Sequence, residues 1–174
     1  QDELLPEFKK FSDRKNYTYK IVGGIEKAFE YCVLEYSFAF WQWGYASCSD
    51  IPGKNAPANL IISHMNAVAG FDYFADFFIK EYRPFFYQSY SEMGYYGYNL
   101  QEFEGYLQHV DDGTFQFALP KDTDIVFNDS LLRNVTNYLQ GKASDYIFIY
   151  GEYDTWSATA VNLGENDYSS VFYK

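Results

Sequence analysis

Residues 145–161, DYIFIYGEYDTWSATAV, hold the side chains best placed for chemistry. An apolar, β-branched and aromatic run at 146–150 ends at Gly151, and Asp154, Trp156 and the small residues 157–160 follow. The run reads as a buried parallel strand, with Ser157 capping a helix after it. Open α/β sheets bind ligands and do chemistry just beyond the C-terminal ends of such strands. Asp154 is therefore a candidate catalytic carboxylate. The same spacing also suits an Asp that only caps the next helix.

Other chemical signals are weaker. His64 and His109 both precede Asp154, and His64 lies on an apolar stretch where a satisfied histidine is the ordinary outcome. No G-x-S-x-G elbow occurs; Ser91 and Ser169 lack flanking glycines. The internal sequence IVGG at 21–24 has no Gly-Asp-Ser-Gly-Gly downstream, so it does not mark a chymotrypsin-like protease. Asp111-Asp112-Gly113 lacks the alternating oxygen ligands of a calcium loop. Glu102 and Glu104 do not share a helix face, so they form no glycosidase pair. Cys32 and Cys48 have no His or third Cys at zinc spacing, and whether they pair stays open.

Two segments carry a family resemblance. YGEYDTWSATAV, 150–161, resembles the acid loop of α/β-hydrolase serine peptidases, in particular the prolylcarboxypeptidase and dipeptidyl-peptidase group and the bacterial PS-ten serine peptidases. YQSYSEMGYYGY, 87–98, is similar to the Gln-x-x-(Ser/Thr)-Glu-x-Gly-aromatic segment of the same enzymes. The resemblance makes Asp154 the triad carboxylate that holds a His tautomer and stabilises its imidazolium. It implies a secreted or periplasmic exopeptidase of the aminopeptidase type, acting on peptides without cofactor or metal. Such an enzyme must recognise a free α-ammonium, and Glu92 is the first choice for that contact, with Gln88, Tyr95 and Trp156 lining the pocket. The alternative for Glu92 is a carboxylate bonding backbone amides of the next turn.

Triad order in this fold is Ser, Asp, His. Neither an elbow before Asp154 nor a His after it is present, and 168–173, YSSVFY, reads as one more strand. The expectation is a piece of a larger peptidase, inactive alone, whose partner is the remaining chain carrying Ser and His. A non-catalytic aromatic-rich module binding peptides or glycans, or an esterase with the same acid loop, would also suit these features.

The elements that must position these residues read as helical first and α/β last. The clearest helix is 25–43, where Ile25, Phe29, Cys32, Val33, Tyr36, Phe40 and Trp43 recur at helical spacing and Glu26, Lys27, Glu30 and Gln42 lie largely elsewhere. Helices are expected at 58–69, 72–82, 100–110 and 128–140, with a weak one at 2–12 interrupted by Pro6. Residues 84–91 suit helix or extended chain, while 17–22 and 115–119 have strand composition. The fold expectation is an α/β-hydrolase fragment. A mainly helical cap at 1–140 holds the 87–94 motif, and the C-terminal strands of the α/β sheet at 141–174 hold the Asp loop.

Bulk properties bound the partners. The chain has 174 residues, one domain's worth, with 48% hydrophobic content that excludes disorder. A net charge of −11, with 13 Lys and Arg spread thinly, argues against nucleic acid. No stretch is long and apolar enough to span a membrane. The 19 Tyr and 17 Phe suit either a ligand cleft or a surface covered by another part of the protein.

Overall fold

In the computed structural model residues 3–162 are described. Three helices make the frame: α1 (Leu4–Lys15), α2 (Ile25–Trp43) and α3 (Ala58–Ala69), which pack pairwise on one another. Pro6 does not interrupt α1, because it sits in the first turn, where its missing N–H would have had no intrahelical partner. Asn16 ends the helix in the left-handed region, at φ 56°. α4 (Asp76–Glu81) and α5 (Arg83–Gln88) follow, then a π-helical turn over Ser89–Met93. α6 (Ser130–Gly141) comes last.

α2 is the axis. It is buried on nearly every side, through Ala28, Phe29, Tyr31, Cys32, Leu34, Ala39 and Phe40 and through two carboxylates, Glu30 and Glu35. Glu30, expected among the polar residues of the helix, is only 1% exposed. Its carboxylate accepts the backbone N–H groups of Gln108, His109 and Val110 at 2.7–2.9 Å. One turn of loop thus takes its hydrogen bonds from a helix side chain, and only a 3-10 turn, Gln101–Phe103, forms where a helix was expected at 100–110. The Tyr31 hydroxyl donates to the Asp112 carbonyl at 2.5 Å, and Lys27 pairs with Asp111 at 3.1 Å. Tyr98 N–H meets the Gly113 carbonyl at 2.9 Å, and a Cβ at position 113 would stand 2.2 Å from the Tyr98 carbonyl oxygen. Only glycine permits that approach.

Phe115 fills the space between these pieces. Its ring contacts Tyr31, Tyr73, Phe74, Phe86, Tyr95, Tyr96 and Tyr98 at centroid distances of 5.1–6.5 Å, with several edge-to-face pairs.

The expected α/β-hydrolase arrangement, a helical cap followed by C-terminal sheet strands, is corrected here. No strand exists among the described residues. Residues 146–150 are irregular, and Ile147 and Ile149 are each 87% exposed. A strand needs a neighbour to take its N–H and C=O groups, and none of the described segments lies alongside. Residues 17–22 and 115–119 miss for related reasons. In the first, Asp76 accepts the Ile21 N–H at 2.8 Å and the Thr18 hydroxyl at 2.7 Å, fixing a turn. In the second, the chain winds into a 3-10 turn, Gln116–Ala118. The strand expected at 168–173 lies outside the described residues.

Candidate active site

Asp154 stands at the start of a 3-10 turn, Thr155–Thr159, and caps it through its own side chain. Oδ1 accepts the Trp156 backbone N–H at 3.0 Å, so Asp154 and not Ser157 is the cap. The same oxygen accepts a second hydrogen bond, at 3.0 Å, from Nε2 of Gln42 in the last turn of α2. Among the described residues no hydrogen bond reaches Oδ2. The carboxylate is half-buried. The turn is closed by Gly151, whose carbonyl accepts from the Asp154 N–H at 3.3 Å and the Ser157 hydroxyl at 3.0 Å.

Two aromatic side chains dock this loop. The Tyr153 ring lies 5.9 Å from that of Trp41 on α2. The Trp156 ring lies 5.9 Å from Tyr95 and 6.0 Å from Tyr96, the latter edge to face. The 87–98 and 150–161 segments, separate in sequence, therefore meet through Tyr95 and Trp156, two of the four residues expected to bind substrate.

The other two lie on the helical turn before them. Gln88 ends α5, and Glu92 lies in the π-helical turn that prolongs it. Gln88 Nε2 donates to Glu92 Oε2 at 3.3 Å, and no other hydrogen bond to the Glu92 carboxylate occurs among the described residues. Glu92 does not bond the amides of its next turn, so a half-buried carboxylate remains available to a cation. A π-helical turn rotates the residues after it relative to a regular helix, a deviation common at functional sites. The buried Ser89 hydroxyl at its start has no hydrogen-bond partner among the described residues.

Beneath Tyr95 and Tyr96 lies a group that sequence reasoning missed. Glu35 of α2, 6% exposed, accepts a short hydrogen bond from the Tyr98 hydroxyl and one of 3.3 Å from Tyr96. Burial pushes its carboxyl above the ordinary range, and the two phenols pull it part of the way back. Burial and the Glu35 charge push the Tyr98 phenol well up, so Tyr98 is the donor. Tyr73 donates to or accepts from Tyr95 at 3.1 Å, extending the network. A glutamate inside an apolar helical stripe was the available signal, because such a group needs buried partners.

α2 thus presents Glu35, Phe38, Trp41 and Gln42 in succession to this region. Phe38 packs on Tyr96 and Tyr98, each at 5.7 Å. His64 is engaged elsewhere, with Nε2 2.8 Å from the Tyr36 hydroxyl. Cys32 is buried, Cys48 is exposed, and both are free. No cluster of potential metal ligands occurs among the described residues. A groove of about 490 Å³ between α1 and α3, lined by Glu7, Phe11, Arg14 and Ile62, shares no residue with the Asp154 assembly.

Chemically, the assembly offers a carboxylate with one oxygen fixed and one available, beside aromatic faces. That suits orienting an imidazole donor, and nothing among these residues supplies a nucleophile.

Comparison with known proteins gives a consistent assignment. The profile of the family described as PS-10 peptidase S37 matches residues 3–173. A prolyl tri/tetrapeptidyl aminopeptidase of Streptomyces mobaraensis is 25% identical over 166 residues, covering 95% of this chain and 35% of the relative. The chain therefore spans about a third of the length of that curated relative. No solved structure matches.

Proposed function

The chain belongs to the PS-10 peptidase S37 family, and from that premise we propose that it forms part of a secreted or periplasmic serine exopeptidase that removes residues from a free peptide N-terminus. In this reading Asp154 is the acid of a Ser-His-Asp triad, and Ser and His belong to the remaining chain of the same peptidase. The observation that carries it is the Asp154 carboxylate, with Oδ1 held by Trp156 N–H and Gln42 and Oδ2 unbonded among the described residues. A triad acid has that form: one oxygen fixes the rotamer, and the other receives the imidazole Nδ1–H. Of the Streptomyces relative's activity, only the aminopeptidase type is carried over.

The substrate's α-ammonium meets Glu92, with Gln88 steadying the carboxylate and the Tyr95 and Trp156 rings forming the apolar wall. The exposed apolar side chains of α6, Leu131, Val135 and Tyr138, together with Ile147 and Ile149, suit burial against the remaining chain.

The test uses the full-length peptidase on peptide-naphthylamides. A fluorophosphonate should abolish hydrolysis, and N-terminal acetylation should make a good substrate poor. In the Glu92→Gln variant KM for free N-terminal peptides should rise while acetylated substrates change little. Hydrolysis that survives the fluorophosphonate would remove the serine mechanism. Equal use of free and acetylated peptides would remove the aminopeptidase assignment.

A further inference from the structure

Residues Trp41 and Gln42 grip the acid loop at its aspartate and at the residue before it. The Trp41 ring holds Tyr153, and Gln42 Nε2 reaches Asp154 Oδ1 across 112 positions of sequence. α2 ends two residues later at Gly44, in the left-handed region at φ 64°, and its last turn contains no basic residue. A helix C-terminus carries the negative end of the backbone dipole, so a carboxylate brought there is electrostatically disfavoured. A Lys or Arg at this position would offset that and anchor the loop, but it would also quench the charge of Asp154. The residue present is a neutral amide. It supplies a directed donor and leaves the negative charge intact.

We propose that Gln42 is the positioning residue of the acid loop: its side-chain amide locks Asp154 in one rotamer while preserving the charge that Oδ2 presents to the imidazole. This rests on the assignment of Asp154 as the triad acid. Trp156 N–H fixes the same oxygen from within the turn, but that bond moves with the loop. The Gln42 bond ties the carboxylate to the frame helix.

Three variants of the full-length peptidase decide the matter. Gln42→Met keeps the length and removes the donor; kcat should fall about 10- to 100-fold with KM nearly unchanged, as for a small misplacement of a catalytic group. Gln42→Arg restores a donor and adds a cation; it should recover the wild-type melting temperature yet leave kcat as low as in Gln42→Met or lower. Asp154→Asn runs in parallel. Recovery of both melting temperature and kcat by Arg would overturn the proposal, because anchoring alone would then suffice. So would a Gln42→Met kcat within twofold of wild type while Asp154→Asn is inactive. An active Asp154→Asn variant would instead remove the parent assignment.

Discussion

At the scale of single residues the structure separates two kinds of carboxylate. Glu30 and Asp76 are buried, and their oxygens hold distant loops: Glu30 takes backbone N–H groups, and Asp76 takes the Ile21 N–H and the Thr18 hydroxyl, which is structural work. Asp154 and Glu92 are half-buried, and each keeps an oxygen out of the described hydrogen bonds. Glu35 falls between them, buried under tyrosines, with its carboxyl raised by burial. Its folded-state value lies above the unfolded one, so its contribution to stability is complete below about pH 4, the unfolded carboxylate range. That contribution is lost as pH rises through the folded value. Glu35→Gln, which keeps an acceptor for the phenols, should therefore gain melting temperature relative to wild type as pH rises from about 4 towards 7. A difference that stays constant over that window would show that Glu35 does not titrate differently on folding.

At the scale of elements, legibility followed the range of the forces involved. α2 and α3 occupy 25–43 and 58–69 as their 3.6-residue patterns and flanking Gly and Pro residues indicated. Residues 100–110 and 17–22 could not be read locally. The N–H groups of 108–110 and of Ile21 go to Glu30 and Asp76, distant carboxylates that no window contains. The site divides in the same way. Asp154, Trp156 and Tyr95 were visible in two short segments, whereas Gln42, Glu35 and Tyr98 act through contacts 61 to 112 positions apart. The α2-to-loop linkage has a measurable weight. Glu30→Ala strands three backbone donors, of which the one at Val110 is buried and costs about 1–3 kcal/mol, so a loss of at least that order is expected in thermal or urea unfolding. Loss under about 1 kcal/mol would mean that water satisfies those amides.

At the scale of the whole molecule, α2 serves as a spine. Its first half ties down 108–114, its middle holds the tyrosine network, and its last turn holds the acid loop. Leu131, Val135, Tyr138, Ile147 and Ile149 remain exposed around this frame. Apolar surface of that kind suits the interaction face proposed for the remaining chain. The 174-residue chain expressed by itself should bind a hydrophobic dye or self-associate and should not cleave peptide-naphthylamides. A dye-silent monomer with a cooperative melt would place this surface outside any interface. The central claim is that α2 and the 150–161 loop together present a triad acid. The most direct test is the turnover of Asp154→Asn in the full-length peptidase, with folding checked by circular dichroism. The account predicts an unchanged melt and a fall in kcat on the order of 10⁴-fold, the size of a wrong-tautomer defect. A folded variant with near wild-type kcat would contradict it.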